Sequence, residues 1–145
     1  MESTMSRAYP SNEEMHQISL FRFFDVAVNT IPALRLAFHT PNGGFRAKTT
    51  AVRFKQLGVK SGVPDVLIPV PSGEYVGLAI ELKHGSGRVS VHQQSWLDAL
   101  ASHHWSTHVV YDWTHAAAIT CQYFQVDPET FGLHHYNGAT HAAQS

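Results

Sequence analysis

Gly62-Val63-Pro64-Asp65-Val66-Leu67-Ile68-Pro69-Val70, then Pro71-Ser72-Gly73-Glu74, then Tyr75-Val76-Gly77-Leu78-Ala79-Ile80-Glu81-Leu82-Lys83 is the stretch on which the fold turns. Val66 to Val70 is a short, mostly β-branched run, Pro71 to Glu74 is a turn, and Tyr75 to Leu82 is a second apolar run. The pattern predicts a hairpin of two largely buried strands. Asp65, Glu81 and Lys83 stand at the ends of this most apolar part of the chain, where burying charge is costly unless the groups pair or bind something.

Strand alternation puts Glu81 and Lys83 on one face and Leu82 on the other. If Val70 paired with Tyr75, Asp65 would lie opposite Ile80 and point away from Glu81. A one-residue shift, or a bulge at Gly73 or Gly77, sets Asp65 opposite Glu81. The shifted register is the expected one, because adjacent carboxylates bind Mg²⁺ or Mn²⁺ through oxygen while leaving positions for water and a phosphate oxygen. Lys83 would then orient or help deprotonate the attacking water and neutralise charge developing on the phosphate. An Asp-Lys-Glu salt-bridge cluster is the structural alternative that spacing alone leaves open.

Outward from the hairpin, Ser11 or Asn12 followed by Glu13 and Glu14 caps a helix expected to run to Asn29, its apolar face formed by Ile18, Phe21, Phe24 and Val28. Ile31-Pro32 breaks it, Leu34 to His39 is expected as a short strand, and Pro41-Asn42-Gly43-Gly44 is a turn. A second helix should begin near Phe45, with Ala47, Ala51, Phe54 and Gly58 on one stripe and a basic outer side. Ser90 caps a third helix with Val89, Trp96, Leu97, Leu100 and Ala101 on its apolar stripe, Thr107 to Tyr111 is a strand, and Thr114 to Phe124 is a last helix. The fold class is therefore α/β, a mixed β-sheet flanked by helices. Residues 1–10 are expected as a flexible tail, 11–126 as the domain, and 127–145 as a second flexible tail.

At 145 residues and 43% hydrophobic, the chain can bury one core. No apolar run approaches the roughly 20 residues that span a bilayer, and Met1 to Glu14 carries acids rather than a basic leader, so a soluble, cytoplasmic protein is expected. The lone Cys121 reads as a core thiol. The net charge of -1 gives no general reason to expect a polyanion. Its distribution says more: Arg35 to Arg88 holds eight bases against three acids, and beyond Arg88 there are four acids and no Lys or Arg. That segment could grip a phosphate backbone, or be an ordinary solvated face.

The order Gly62-Val63-Pro64-Asp65, Ile80-Glu81-Leu82-Lys83, Gly87-Arg88-Val89-Ser90 and Gln93 ahead of Trp96-Leu97 resembles the VRR-NUC family of the PD-(D/E)xK nuclease superfamily. Phe38-His39-Thr40-Pro41-Asn42-Gly43-Gly44 followed by Arg46, and Glu14 with Gln17 in the opening helix, extend the likeness over residues 13 to 124. It implies a restriction-endonuclease-like core in which Asp65, Glu81, the main-chain carbonyl of Leu82 and Glu14 ligate Mg²⁺ or Mn²⁺. Lys83 would be the catalytic lysine, with Gln93 and Glu14 completing the site from flanking helices. Glu13 and Gln94 stand beside these last two as residues of the same kind. Arg46, Lys48, Arg53, Lys55, Lys60 and Arg88 would hold DNA phosphates, with Asn42 at a close main-chain approach. Trp96 reads as core rather than base-stacking.

The implied activity is a metal-dependent endonuclease on branched DNA, resolving Holliday junctions as a homodimer, in a bacterial or phage-infected cell. A flap- or end-processing nuclease and a non-catalytic DNA-junction-binding module are the alternatives. Eleven histidines raise a third, a zinc-binding protein using His104 with His108, or His134-His135 with His141, although neither set has a matching cysteine or carboxylate pattern.

Overall fold

The structure is a computed structural model describing residues 12–41 and 48–138. Its four-stranded sheet has the order β1 (Phe38–His39), β2 (Val66–Ile68), β3 (Gly77–Leu82), β4 (Trp105–Val110). The first three strands run antiparallel to their neighbours and β4 is parallel to β3. The parallel pair requires a crossover, which α3 (Val91–Ser102) supplies while packing on β4. α1 (Asn12–Ala27) and α4 (Trp113–Tyr123) pack on each other and on β3. The mixed sheet flanked by helices is thus the architecture expected from sequence.

The alternation of β3 divides the protein chemically. Leu78, Ile80 and Leu82 enter the core with Leu20, Phe24 and Ala27 of α1 and the alanines of α4. Glu81, on the opposite face, meets Gln93 of α3. All six residues of β3 are buried, so its one charged side chain is held in the interior. In α1 the inward stripe is Leu20, Phe24 and Ala27, and Ile18 is 41% exposed, so the helix presents a slightly different face from the one expected.

Several elements depart from their expected bounds. Pro32 opens a 3-10 turn over Pro32–Leu36 that seats Leu34 in the core, leaving a strand only at Phe38–His39. The helix expected from Phe45 is α2, Lys48–Gln56, and its proposed start lies outside the described residues. β2 stops at Ile68 because Pro69 and Pro71 lack the N–H groups a ladder needs. Beyond α4, Pro128–Phe131 forms a 3-10 turn, and Phe131, Leu133 and Tyr136 pack against the core where a frayed tail was expected. Phe131 meets Phe23 edge-on, which is apolar burial that the Gly- and His-rich composition concealed.

Candidate active site at the C-terminal end of β3

The register places Val66 opposite Ile80, Leu67 opposite Ala79 and Ile68 opposite Leu78. Continued one step, it sets Asp65 across from Glu81, the shifted alignment the two carboxylates called for. The shift arises elsewhere than expected. Between the Ile68–Leu78 pair and the Ser72–Tyr75 bridge lie Pro69, Val70 and Pro71 on one side but only Val76 and Gly77 on the other. The extra residue is therefore in the proline segment, not at Gly73 or Gly77.

Asp65 is fixed on three sides. Its Oδ2 accepts the Leu82 N–H at 2.8 Å, and its carbonyl accepts Thr40 N–H at 3.2 Å and His39 Nδ1–H at 2.7 Å. Gly62, which opens the motif, has φ +84°, and a Cβ there would meet the His92 backbone at 2.6 Å. Only glycine lets the loop lie this close to α3. Trp96 Nε1–H donates to Ser61 O at 3.0 Å and ties the same loop down again.

Glu81 is organised through one oxygen. Its Oε1 accepts Gln93 Nε2–H at 2.7 Å and lies 3.6 Å from Lys83 Nζ. Gln93 is itself held in a capping box: Ser90 Oγ accepts Gln93 N–H at 3.2 Å, and Gln93 Oε1 accepts Ser90 N–H at 2.9 Å. With its amide oxygen committed to the helix cap, Gln93 must turn its NH₂ toward Glu81. This distinguishes Gln93 from Gln94, whose Nε2 donates to Asp98 instead.

The other carboxylate oxygen, Glu81 Oε2, is buried with no N–H or hydroxyl donor among the described residues, and the Glu81 carboxyl is within hydrogen-bonding reach of the Asp65 carboxyl, a bond that closes only while one of the two keeps its proton. Two such acids can both be ionised at low cost only when something outside the chain supplies positive charge between them. Burial first and the neighbouring Asp65 charge second push Glu81 up to about 8, with Lys83 opposing. Burial also raises Asp65, against the pull of the Leu82 N–H. A cation between the two carboxylates would relieve both effects.

The site opens into a cleft of about 550 Å³ lined by Asp65, His39, His84 and the first turns of α1, Asn12, Glu13, Glu14 and Gln17. Asn12 is hydrogen-bonded to His84 at 3.1 Å, and His16 Nδ1 accepts the Trp113 N–H at 3.1 Å, which seats the start of α1 above the end of β3. Glu13 and Glu14 both face this cleft, so the geometry does not single out Glu14. Gln17 Nε2, one turn on, is buried without a partner among the described residues. His39 and His84 were not expected here. Because the Asp65 carbonyl can only accept, His39 carries its proton on Nδ1, leaving Nε2 as the other functional nitrogen.

Lys48, Arg53, Lys55, Lys60 and Arg88 are exposed, whereas Arg46 and Asn42 lie outside the described residues. No group of three or more His, Cys, Asp or Glu that could hold a metal occurs among the described residues. His108 bonds Ser106 through Nε2 at 2.8 Å, and His135 lies 3.1 Å from Asp127, while His141 is outside the described residues. Cys121 is buried and its thiol is pushed up to about 11 by burial, as befits a core thiol.

The arrangement defines an α/β nuclease-type domain with a buried glutamate, a half-buried aspartate opposite it and an adjacent lysine. The family model described as the VRR-NUC domain matches residues 34–113, more than half the chain, and the chain belongs to the VRR-NUC family. A solved structure titled "VRR_NUC domain protein" is similar with a TM-score of 0.65 at 23% identity, over 83% of this chain and 93% of that one. At that identity it speaks to the fold. No curated protein matches.

Proposed function

We propose that the protein is a divalent-metal-dependent endonuclease that hydrolyses phosphodiester bonds in branched DNA, with Asp65, Glu81 and Lys83 at its centre. The observation that carries this reading is the carboxylate pair itself: a buried Glu81 set opposite a half-buried Asp65 at the cleft, one oxygen of Glu81 held by Gln93 and Lys83, the other left with only a second carboxyl to share a proton with. A salt-bridge cluster built only for stability would set a cation, not a second acid, against that oxygen.

The donor set fits a hard cation. Asp65, Glu81 and the Leu82 carbonyl would hold Mg²⁺ or Mn²⁺, with Glu14 reaching the same cleft and water and phosphate oxygens completing the shell. Bound there, the ion would polarise the scissile phosphate and make water a better nucleophile. Lys83 positions that water and neutralises charge on the phosphate oxygens, and Gln93 holds Glu81 in line. Lys48, Arg53, Lys55 and Lys60 lie in a segment without a single acid, suited to the DNA backbone.

A homodimer presenting two such sites would suit the two strands of a four-way junction. The test is to incubate the protein with a labelled four-way junction, a flap and a plain duplex in Mg²⁺, Mn²⁺ or chelator. Symmetric, metal-dependent incisions confined to the junction support the dimeric resolvase, and cutting at the flap supports a processing nuclease. Tight junction binding with no cutting in either metal overturns catalysis in favour of a binding module.

A further inference from the structure

A second cavity, of about 520 Å³, opens between α2 and the start of the Asp65 loop, walled by Phe54, Val59, Val63, Pro41 and Trp96 with Lys60 at its side. Trp96, expected in the core from sequence, is only half-buried and forms part of this wall. We infer that this cavity is a nucleobase subsite, receiving an unpaired base next to the phosphate held at Asp65 and Glu81. The inference rests on the nuclease reading and adds to it a choice of substrate.

Position is the first argument. Trp96 follows Gln93 by three residues on α3, so the two share a helix face about one turn apart, and Gln93 touches Glu81. Val63 lies two residues before Asp65. Thr40, which also lines the cavity, donates its N–H to the Asp65 carbonyl at 3.2 Å and its hydroxyl to Pro64 O at 2.6 Å, so the cavity adjoins the loop that carries Asp65.

Chemistry is the second. The walls are mainly apolar and aromatic, no acid among the described residues lines the cavity, and the helix beside it carries Lys48, Arg53 and Lys55 on its exposed surface. An apolar slot beside exposed cations complements a base attached to its phosphates, and base-on-aromatic stacking needs only a π face. The Trp96 ring is already pinned by its N–H bond to Ser61, so little ordering is needed on binding. The volume falls in the range of roughly 300–1,000 Å³ typical of small organic ligand sites. α2 buries none of its residues, so the cavity is not closed off by packing of that helix.

A base reaches such a slot only when it is out of the duplex stack, because unpairing costs a few kcal/mol where a partner must be lost. The protein should therefore favour DNA that offers an unpaired nucleotide beside the cut, as at a flap or branch, over intact duplex.

The test uses the full chain in chelator, so that binding is read without cleavage. Flap DNA carrying 5-iodouracil at successive positions around the branch is photocrosslinked, and the modified residues are mapped by mass spectrometry. The expected result is crosslinking at Trp96 or Phe54 from an unpaired position. Phe54→Ala, at a half-buried position on a helix with no fully buried residue, should weaken flap binding by about 10- to 100-fold while changing duplex binding less than about twofold, with an unchanged Tm showing that the fold is kept. Trp96→Phe should retain most flap affinity and crosslink at the same position. Crosslinks confined to other surfaces, or equal weakening toward flap and duplex, overturn the subsite while leaving the nuclease reading standing. So does a concentration-dependent dimer lost in Phe54→Ala with DNA affinity unchanged, which would assign the face to a second copy of the chain. Absence of binding to either DNA overturns both.

Discussion

Replacing Glu81 by glutamine preserves the side chain's shape and an oxygen for the Gln93 N–H while removing the titration. An ordinary glutamic acid titrates near 4.5, whereas burial and the Asp65 charge lift Glu81 to about 8 in the folded chain. Between those values the folded protein holds a proton that the unfolded chain has released. A raised carboxylate therefore lowers stability as pH climbs, by up to about 1.4 kcal/mol per unit, from the unfolded value until the folded value is passed. From about pH 6 to about pH 8 the metal-free wild type should lose roughly 2 kcal/mol through this group, Asp65 titrating with it as one coupled pair. For a chain of this size that is a fall of about 4–8 °C in Tm. Scanning calorimetry in chelator should show the gap between Glu81→Gln and wild type widening by that amount over the window. A gap that stays constant with pH would refute a buried, charge-opposed Glu81.

Saturating Mg²⁺ or Mn²⁺ should raise the wild-type Tm at about pH 8, with about 2.7 kcal/mol expected at a hundred times Kd, and should scarcely move Glu81→Gln. Equal stabilisation of both would place the ion elsewhere. Gly62→Ala forces a positive-φ residue against the His92 backbone, and denaturant titration should show a loss of about 2 kcal/mol or more. Gln93→Ala removes the side-chain half of the capping box and the Glu81 clamp, leaving the Ser90 cap in place, and should cost about 1 kcal/mol in stability and more in rate, while Gln94→Ala should leave the rate near wild type. Cys121 should react with iodoacetamide only as fast as the protein unfolds, which alkylation with and without urea will show.

The hairpin was legible because its residues obey two rules at once. Near-continuous apolar runs on either side of a turn assigned the strands, and the need to bring two acids together selected the register. What sequence missed was non-local. Nothing in the composition of residues 128–136 announces that Phe131 meets Phe23, a contact made across the fold. Leu34 to His39 alternates like a strand, but Pro32 and the pull of Leu34 into the core bend most of it into a 3-10 turn.

The candidate site divides in the same way. Asp65, Glu81 and Lys83 follow from local spacing, and Gln93, favoured over Gln94 by its offset to Trp96, gains its physical reason from the capping box that fixes its amide. His39 stands in the Phe38-to-Gly44 block without a role assigned to it, and His84 had no distinguishing signal among eleven histidines, since their place in the cleft depends on β1 and on the end of β3. Trp96 sits on an apolar helical stripe, which periodicity cannot tell from the wall of an open cavity.

The most direct measurement is the cleavage rate of labelled branched DNA in Mn²⁺ by wild type and Lys83→Ala, each at a protein concentration saturating for binding. The account predicts cutting by the wild type that chelator abolishes, and a loss of about 100-fold or more in Lys83→Ala with DNA affinity little changed. Cutting that persists undiminished in Lys83→Ala, or that is absent from a wild type shown to bind the DNA, would contradict it.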